Sequence, residues 1–310
     1  MRMVKKKSLS KDKMKMSNKS ISALQAGEIN ELNQQMQNRI ENLDNQNDLR
    51  DAMMYSVMAG GKRIRPLIVF ATCLSLNEPI SPSTYIVAGS LEFIHTYSLI
   101  HDDLPEMDND DLRRGKPTNH KVYGQAMAVL AGDALLTEAF RWLSEVQVST
   151  QRGLMLVHKL SQAAGALGMV DGQARDIKGE GQQLNIEQLK VLHAGKTGAL
   201  IRYAFEAGGI LANATEKQQQ LLSKLGSAYG LAFQIYDDIL DVTSSEQEMG
   251  KAVHKDKSEN KNTYPTLLGL NGAKESLAYT LDEASGVLEQ LKDIGVETKL
   301  FEELLAYFRM

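Results

Sequence analysis

The chain has 310 residues, 43% of them apolar, and a formal net charge of −4. That is enough apolar material for a sizeable core, in one large domain or two ordinary ones. No run of 18 apolar residues is present, which excludes a conventional helical membrane span. One cysteine, Cys73, allows no internal disulfide, which suits a reducing cytoplasm.

Charge is distributed unevenly. Residues 1–20 carry eight basic side chains against Asp12 alone, so the rest of the chain is acidic by about 11 charges. The segment lacks the apolar stretch of a secretory signal and is expected to be a disordered basic extension, with residues 21–310 forming one domain. The acidic body argues against nucleic acid as the main partner. Helical periodicity predicts helices near 28–42, 48–60, 64–76, 82–103, 122–145, 151–175, 186–210, 215–241, 263–270, 273–292 and 297–308. Strand alternation with hairpin turns does not recur, and no dinucleotide-binding glycine fingerprint follows a strand. The expected fold class is therefore all-α.

The first chemically suggestive group is Gly60-Gly61-Lys62-Arg63-Ile64-Arg65-Pro66. A glycine pair opening a helix, followed by cations, can cradle an anion. Lys62 and Arg65, three apart, are expected on one helix face, with Arg63 turned elsewhere. Glu92 and His95 follow at the Glu-x-x-His spacing of a di-iron bundle, but that architecture needs two copies and this chain has one. His95 is expected to hydrogen-bond within a cavity, on the same side of its helix as Asp102.

Two dense acidic clusters end apolar helices. The first runs His101-Asp102-Asp103-Leu104-Pro105-Glu106-Met107-Asp108 and continues through Asp110, Asp111, Arg113 and Arg114. Asp102 and Asp108 are six apart, too far for one regular helix face. Pro105 breaks the hydrogen-bond ladder, so a bulge is expected to bring Asp108 level with Asp102, with Glu106 as a possible further carboxylate. In the second cluster Asp237 and Asp241 stand at i and i+4, while Asp238 is expected to turn aside. Crowded carboxylates repel unless cations lie between them. An all-oxygen donor set suits a hard ion such as Mg2+, which typically takes one or two carboxylates plus substrate phosphates. Neighbouring arginines supply the fork that grips phosphate. Lys196-Thr197-Gly198, Gly250-Lys251 and Lys261 add positive charge.

Together these motifs resemble the trans-prenyltransferase family, the short-chain isoprenyl diphosphate synthases, from about residue 20 to the C-terminus. The resemblance implies a single all-α bundle of about ten or more helices around a central cavity, working as a homodimer. It implies that Asp102 and Asp108 hold two Mg2+ ions and Asp237 a third, supported by Asp103 and Asp241, with Mn2+ able to substitute. Lys62, Arg65, His95 and Arg114 match positions that bind isopentenyl diphosphate. Arg113, Lys196, Thr197, Gln234, Lys251 and Lys261 match those that hold dimethylallyl or geranyl diphosphate. Of these, Lys196, Thr197 and Gln234 would also stabilise the allylic cation. The alternatives are a geranylgeranyl-producing member and a non-catalytic partner subunit, although such subunits usually lose an aspartate motif. The C-terminus has one cation, Arg309, where members of the family often carry more.

Chain length is a matter of pocket depth. Tyr97 lies five residues before Asp102, so its Cα sits roughly 7–8 Å deeper along the helix. Its ring leans toward the helix N-terminus and is expected to floor a cavity that admits a ten-carbon tail, giving a fifteen-carbon product. In the family an aromatic here resembles the farnesyl type. Ser98 beside it is small.

Overall fold

The computed structural model describes residues 20–44, 46–243 and 262–309. Lys251, Lys261 and nearly all of the basic N-terminal segment lie outside the described residues. The fold is all-α. Its first half runs through α1 (Ile21–Ala26), α2 (Glu28–Glu41), α3 (Asn47–Val57), α4 (Ile64–Ser75) and the long α5 (Pro82–Asp102). After a short hairpin come α6 (Asn119–Tyr123), α7 (Gln125–Leu143), α8 (Thr150–Ala164) and α9 (Met169–Gly179). The remainder is α10 (Ile186–His193), α11 (Ala199–Leu211), α12 (Glu216–Thr243), α13 (Tyr264–Asp293), α14 (Lys299–Leu305) and a closing turn at Ala306–Phe308. Among the described residues no helix is long and apolar enough to cross a membrane.

Local signals start the helices that carry the site. Ser81 and Thr84 form a reciprocal cap on α5, and Pro82 occupies a first-turn position that needs no amide donor. Asn185 and Gln188 cap α10 in the same way, each bond 2.9 Å long. Helix α11 is buried along almost its whole length and packs on α4, α8 and α12. Burying a leucine or phenylalanine stabilises by about 1.5–3 kcal/mol. A helix presenting Leu200, Ile201, Tyr203 and Phe205 to the interior therefore fixes the neighbours whose ends carry the charged groups.

The structure departs from the expected elements at glycines. The helix expected at 151–175 is two, α8 and α9, separated by a turn at Gly165–Gly168. The helix expected at 186–210 widens into a π-helical turn, Ala194–Gly198, between α10 and α11. The two helices expected at 263–270 and 273–292 are both present within α13, but the break between them falls at Gly269 (φ 71°, ψ 165°), a little earlier than expected. A two-stranded hairpin, β1 (Leu112–Arg113) with β2 (Lys116–Pro117), was not expected. Its turn residues Arg114 and Gly115 both have positive φ, 55° and 74°, as a tight two-residue turn requires.

Candidate active site

Helix α5 delivers the first acidic cluster. Past Asp103 the chain folds back around Pro105, so that the Asp108 amide donates to the Asp102 carbonyl at 2.8 Å. Asn109 closes the loop in the left-handed region, φ 50°, its amide donating to the Leu104 carbonyl at 3.0 Å. Asp102 is pushed up to about 6, chiefly by burial; Asp108 and Asp103 push the same way, against Lys196 and Arg113. Asp103 is buried and accepts two bonds from Arg113, at 2.9 and 2.5 Å. Arg113 also reaches Asp110 at 3.5 Å. Glu106, considered as a further carboxylate, is exposed at the rim of the loop.

The hairpin returns the chain so that Arg114 lies over the glycine pair, donating to the Gly60 carbonyl. Gly61 has φ 120°, a conformation that side chains rarely adopt, and a Cβ there would also come within 2.6–2.8 Å of that guanidinium. Lys62 precedes α4 instead of sharing a helical face with Arg65, because the helix begins only at Ile64. Its ammonium bonds the Tyr307 hydroxyl and lies 5.0 Å from that ring's centroid. Arg63, in the left-handed region, faces elsewhere as expected, and it does so inward, pairing with Glu92 at 2.6 Å. Glu92 is thereby committed to a buried ion pair. Arg65 is lowered to about 10, mainly by burial, with Arg114 adding repulsion against the attraction of Glu92. Its Nε is buried and has no hydrogen-bond partner. His95 is held well below its ordinary value by burial and by Arg65, Arg114, Arg113 and Arg63, so it is neutral.

Helix α12, which carries the second acidic cluster, packs on the π-helical turn, which carries Lys196 and Thr197. Thr197 donates its hydroxyl to Gln234 Oε1 at 2.8 Å, and Gln234 Nε2 donates to Asp238 Oδ1 at 2.8 Å. The Tyr264 amide then donates to Asp238 Oδ2 at 3.0 Å. Asp238 does turn aside from Asp237, but into the protein, where it fixes the Gln234 amide. Asp241 is buried and Asp237 partly so. The Lys196 ammonium bonds Asp176 on α9 at 2.5 Å. Asp176 and Gln173, whose amide atoms are both buried without a partner, are site residues that sequence reasoning missed. The available signal was Gly172-Gln173-x-x-Asp176 on one helix. A Cβ at Gly172 would stand 2.0 Å from the Lys196 backbone nitrogen, so this glycine is what lets α9 meet the π-helical turn.

Tyr97 is buried, its hydroxyl pushed up to about 12 by burial and by Asp102. Ser98 spends its hydroxyl on the His95 carbonyl at 2.9 Å. Among the described residues no three His, Cys, Asp or Glu side chains converge into a ready-made metal cage. Any ion held by Asp102, Asp108 or Asp237 must complete its shell with ligand oxygens and water, which is the habit of Mg2+.

Two acidic clusters at helix ends and a group of arginines near them, all on an all-α frame, agree with the sequence comparison. The polyprenyl synthetase family matches residues 46–304. The chain belongs to the polyprenyl synthetase family. It is 48% identical over 271 residues to a farnesyl diphosphate synthase of Geobacillus stearothermophilus, covering 86% of this chain and 91% of that one. A chloroplastic geranylgeranyl pyrophosphate synthase of Capsicum annuum is 46% identical over 244 residues, covering 78% and 66%. A solved Helicobacter pylori geranyltransferase, complexed with magnesium and isoprenyl diphosphate, superposes with a TM-score of 0.78 at 36% identity, covering 88% and 92%. Identity of 48% against 46% does not by itself set product length in this family.

Proposed function

We propose that this polyprenyl synthetase condenses isopentenyl diphosphate with dimethylallyl and then geranyl diphosphate, releasing (2E,6E)-farnesyl diphosphate. The observation that carries the reading is electrostatic. Asp102 is pushed up to about 6 chiefly by burial, with Asp108 and Asp103 adding repulsion, while burial lowers Arg65 to about 10 and, together with four arginines, holds His95 neutral. A metal-bound allylic diphosphate on one side and isopentenyl diphosphate on the other would satisfy both at once.

Asp102, Asp108 and Asp237, supported by Asp103 and Asp241, fit Mg2+ by their oxygen-only donors, and three ions are expected, with Mn2+ able to substitute. When bound, Mg2+ supplies Lewis-acid withdrawal of charge from the allylic diphosphate. The protein's own groups do the rest. Lys196 and Arg113, with Lys251 and Lys261, grip the allylic diphosphate and stabilise it as its C–O bond ionises. Asp238 orients the Gln234 amide so that its oxygen, with Thr197, lies toward the developing cation. Arg65, Arg114 and Lys62 hold isopentenyl diphosphate, and neutral His95 offers it a hydrogen bond. Positioning lowers the barrier further. The isopentenyl double bond attacks the cation, a C–C bond forms, and the proton lost from the adjacent carbon passes to the departed diphosphate.

Tyr97 supports the fifteen-carbon product over the twenty-carbon one. Exposed apolar side chains on α7, α8 and α9, among them Leu130, Leu154, Met155 and Val170, support a homodimer. Burial of these side chains against a second copy would remove their apolar surface from water. The composition supports a cytoplasmic site of action, with residues 1–20 as an extension outside the catalytic domain. The test is purified protein with Mg2+, isopentenyl diphosphate and either allylic starter. Chromatography of the dephosphorylated product should give farnesol. No product would reject the activity, and geranylgeraniol would reject the length.

A further inference from the structure

One contact on α5 lies outside the charged groups. His101 stands one turn beyond Tyr97 on the same face, and the two rings meet edge to face, centroids 5.7 Å apart with planes at 78°. His101 Nε2 lies 3.0 Å from the Val129 carbonyl of α7. A carbonyl can only accept, so this nitrogen carries the proton. The Asp133 carboxylate, 3.9 Å away on an exposed side chain, is too far for a hydrogen bond.

The ring's seat is a notch in α7. A Cβ at residue 132 would stand 2.1 Å from His101 Nε2 and 2.5 Å from its Cδ2, so the seat exists only because Gly132 has no side chain. At the other end of the same helix pair the relation is reversed. Trp142 of α7 fills the space left by Gly89 of α5, where a Cβ would lie 2.2 Å from its ring. One ring seated from each helix fixes the antiparallel register of α5 on α7, so His101 is held along the helix as well as across it.

We propose that His101, seated in the Gly132 notch, is a positioning residue that sets product length by holding the Tyr97 ring across the tail channel. The inference rests on the Tyr97 floor of the proposed function. Tyr97 is attached to α5 by a rotatable side chain, and an advancing tail pushes on its ring. An edge-to-face partner fixed to a second helix opposes that push. The energy of such a contact is enough to change the partition between two products by up to about tenfold.

The test reads the ratio of twenty- to fifteen-carbon product. His101→Ala removes the partner ring, and Gly132→Ala fills the seat. Gly286→Ala is the control, because a methyl there meets open space. Both notch variants should raise the ratio by about two- to tenfold with total turnover of the same order. Neither should raise it further in a Tyr97→Ala background, and the control should not move it. A purely structural role would lower melting temperature and turnover without changing the ratio. If Gly132→Ala fails to fold, His101→Ala decides alone. Folded variants with an unchanged ratio overturn the positioning role. A wild type that makes the twenty-carbon product, or Tyr97→Ala that still stops at fifteen, removes the floor itself and this inference with it, a result distinct from the previous one.

Discussion

The amide of Asp108 donates to the carbonyl of Asp102 at 2.8 Å, although six residues separate them. Pro105 is the cause, since it offers no amide to continue the ladder and the chain must loop back. Two carboxylates are thereby set on one turn, and both lie close enough for Asp108 to raise Asp102. Carboxylates buried this close together repel each other and favour a cation between them. Turnover is therefore expected to stop in EDTA and return with Mg2+ or Mn2+. Asp102→Asn should lower kcat by at least a hundredfold, while far-ultraviolet circular dichroism keeps its helical signature. Activity that survives chelation would dismiss the metal mechanism.

The two diphosphates should be separable by mutation. Arg65→Ala removes a guanidinium whose Nε is buried without a protein partner and which burial has lowered, so it should raise the KM for isopentenyl diphosphate at least tenfold. Lys196→Ala, on the π-helical turn beside Asp176, should act mainly on the allylic substrate. Steady-state kinetics with each substrate varied in turn checks this. Equal effects of both mutations on both constants would contradict the assignment.

The Thr197–Gln234–Asp238 chain makes a subtler forecast. Asp238 fixes which way the Gln234 amide points by accepting from its nitrogen. Asp238→Asn brings its own NH2 group, so the Gln234 amide can invert and present a donor to the cation. The expected loss is in kcat, about ten- to a hundredfold, with KM values little changed. A loss confined to KM would place Asp238 in binding.

How legible this was in the sequence depended on the kind of signal. The acidic clusters stood out because carboxylates crowded at the end of an apolar helix make little sense as solvated surface. The helices were visible from their periodicity, but their breaks were not: Gly165, Gly168 and the π-helical turn sit in segments whose apolar spacing stays helical on both sides. Gln173 and Asp176 escaped because an isolated amide and carboxylate on a helix look like any exposed face. Only the backbone approach of Gly172 to Lys196 turns that face inward. The Arg114–Gly115 hairpin was invisible as strand because each arm is two residues long.

The Arg63–Glu92 pair is a stability element near the site. Both side chains are almost fully buried, 3% and 2% exposed, and bonded at 2.6 Å. Glu92→Met leaves the guanidinium buried without its counter-charge. Breaking such a pair costs about 3–5 kcal/mol, so Tm should fall by the order of 10 °C in a chain this size. Thermal unfolding followed by circular dichroism reads it. A Tm within about 2 °C of wild type would mean that Asn33 and the Val57 carbonyl, which also accept from Arg63, suffice alone.

Tyr97 carries the last prediction, in which the ring and the hydroxyl can be told apart. Its hydroxyl stays protonated across the working range, since burial and Asp102 push it up to about 12. A floor needs only the ring. Tyr97→Phe should therefore keep farnesyl diphosphate as the product from either starter. Tyr97→Ala should lose about 3–5 kcal/mol of stability, as aromatic deletions in cores do, yet leave Asp102 and Asp108 in place. Its tail channel is then open, so farnesyl diphosphate becomes a substrate and geranylgeranyl diphosphate should appear within the same assay. A Tyr97→Phe variant that also lengthens its product would move the determinant from the ring to the hydroxyl. A folded, active Tyr97→Ala that still stops at fifteen carbons would place the floor on another residue.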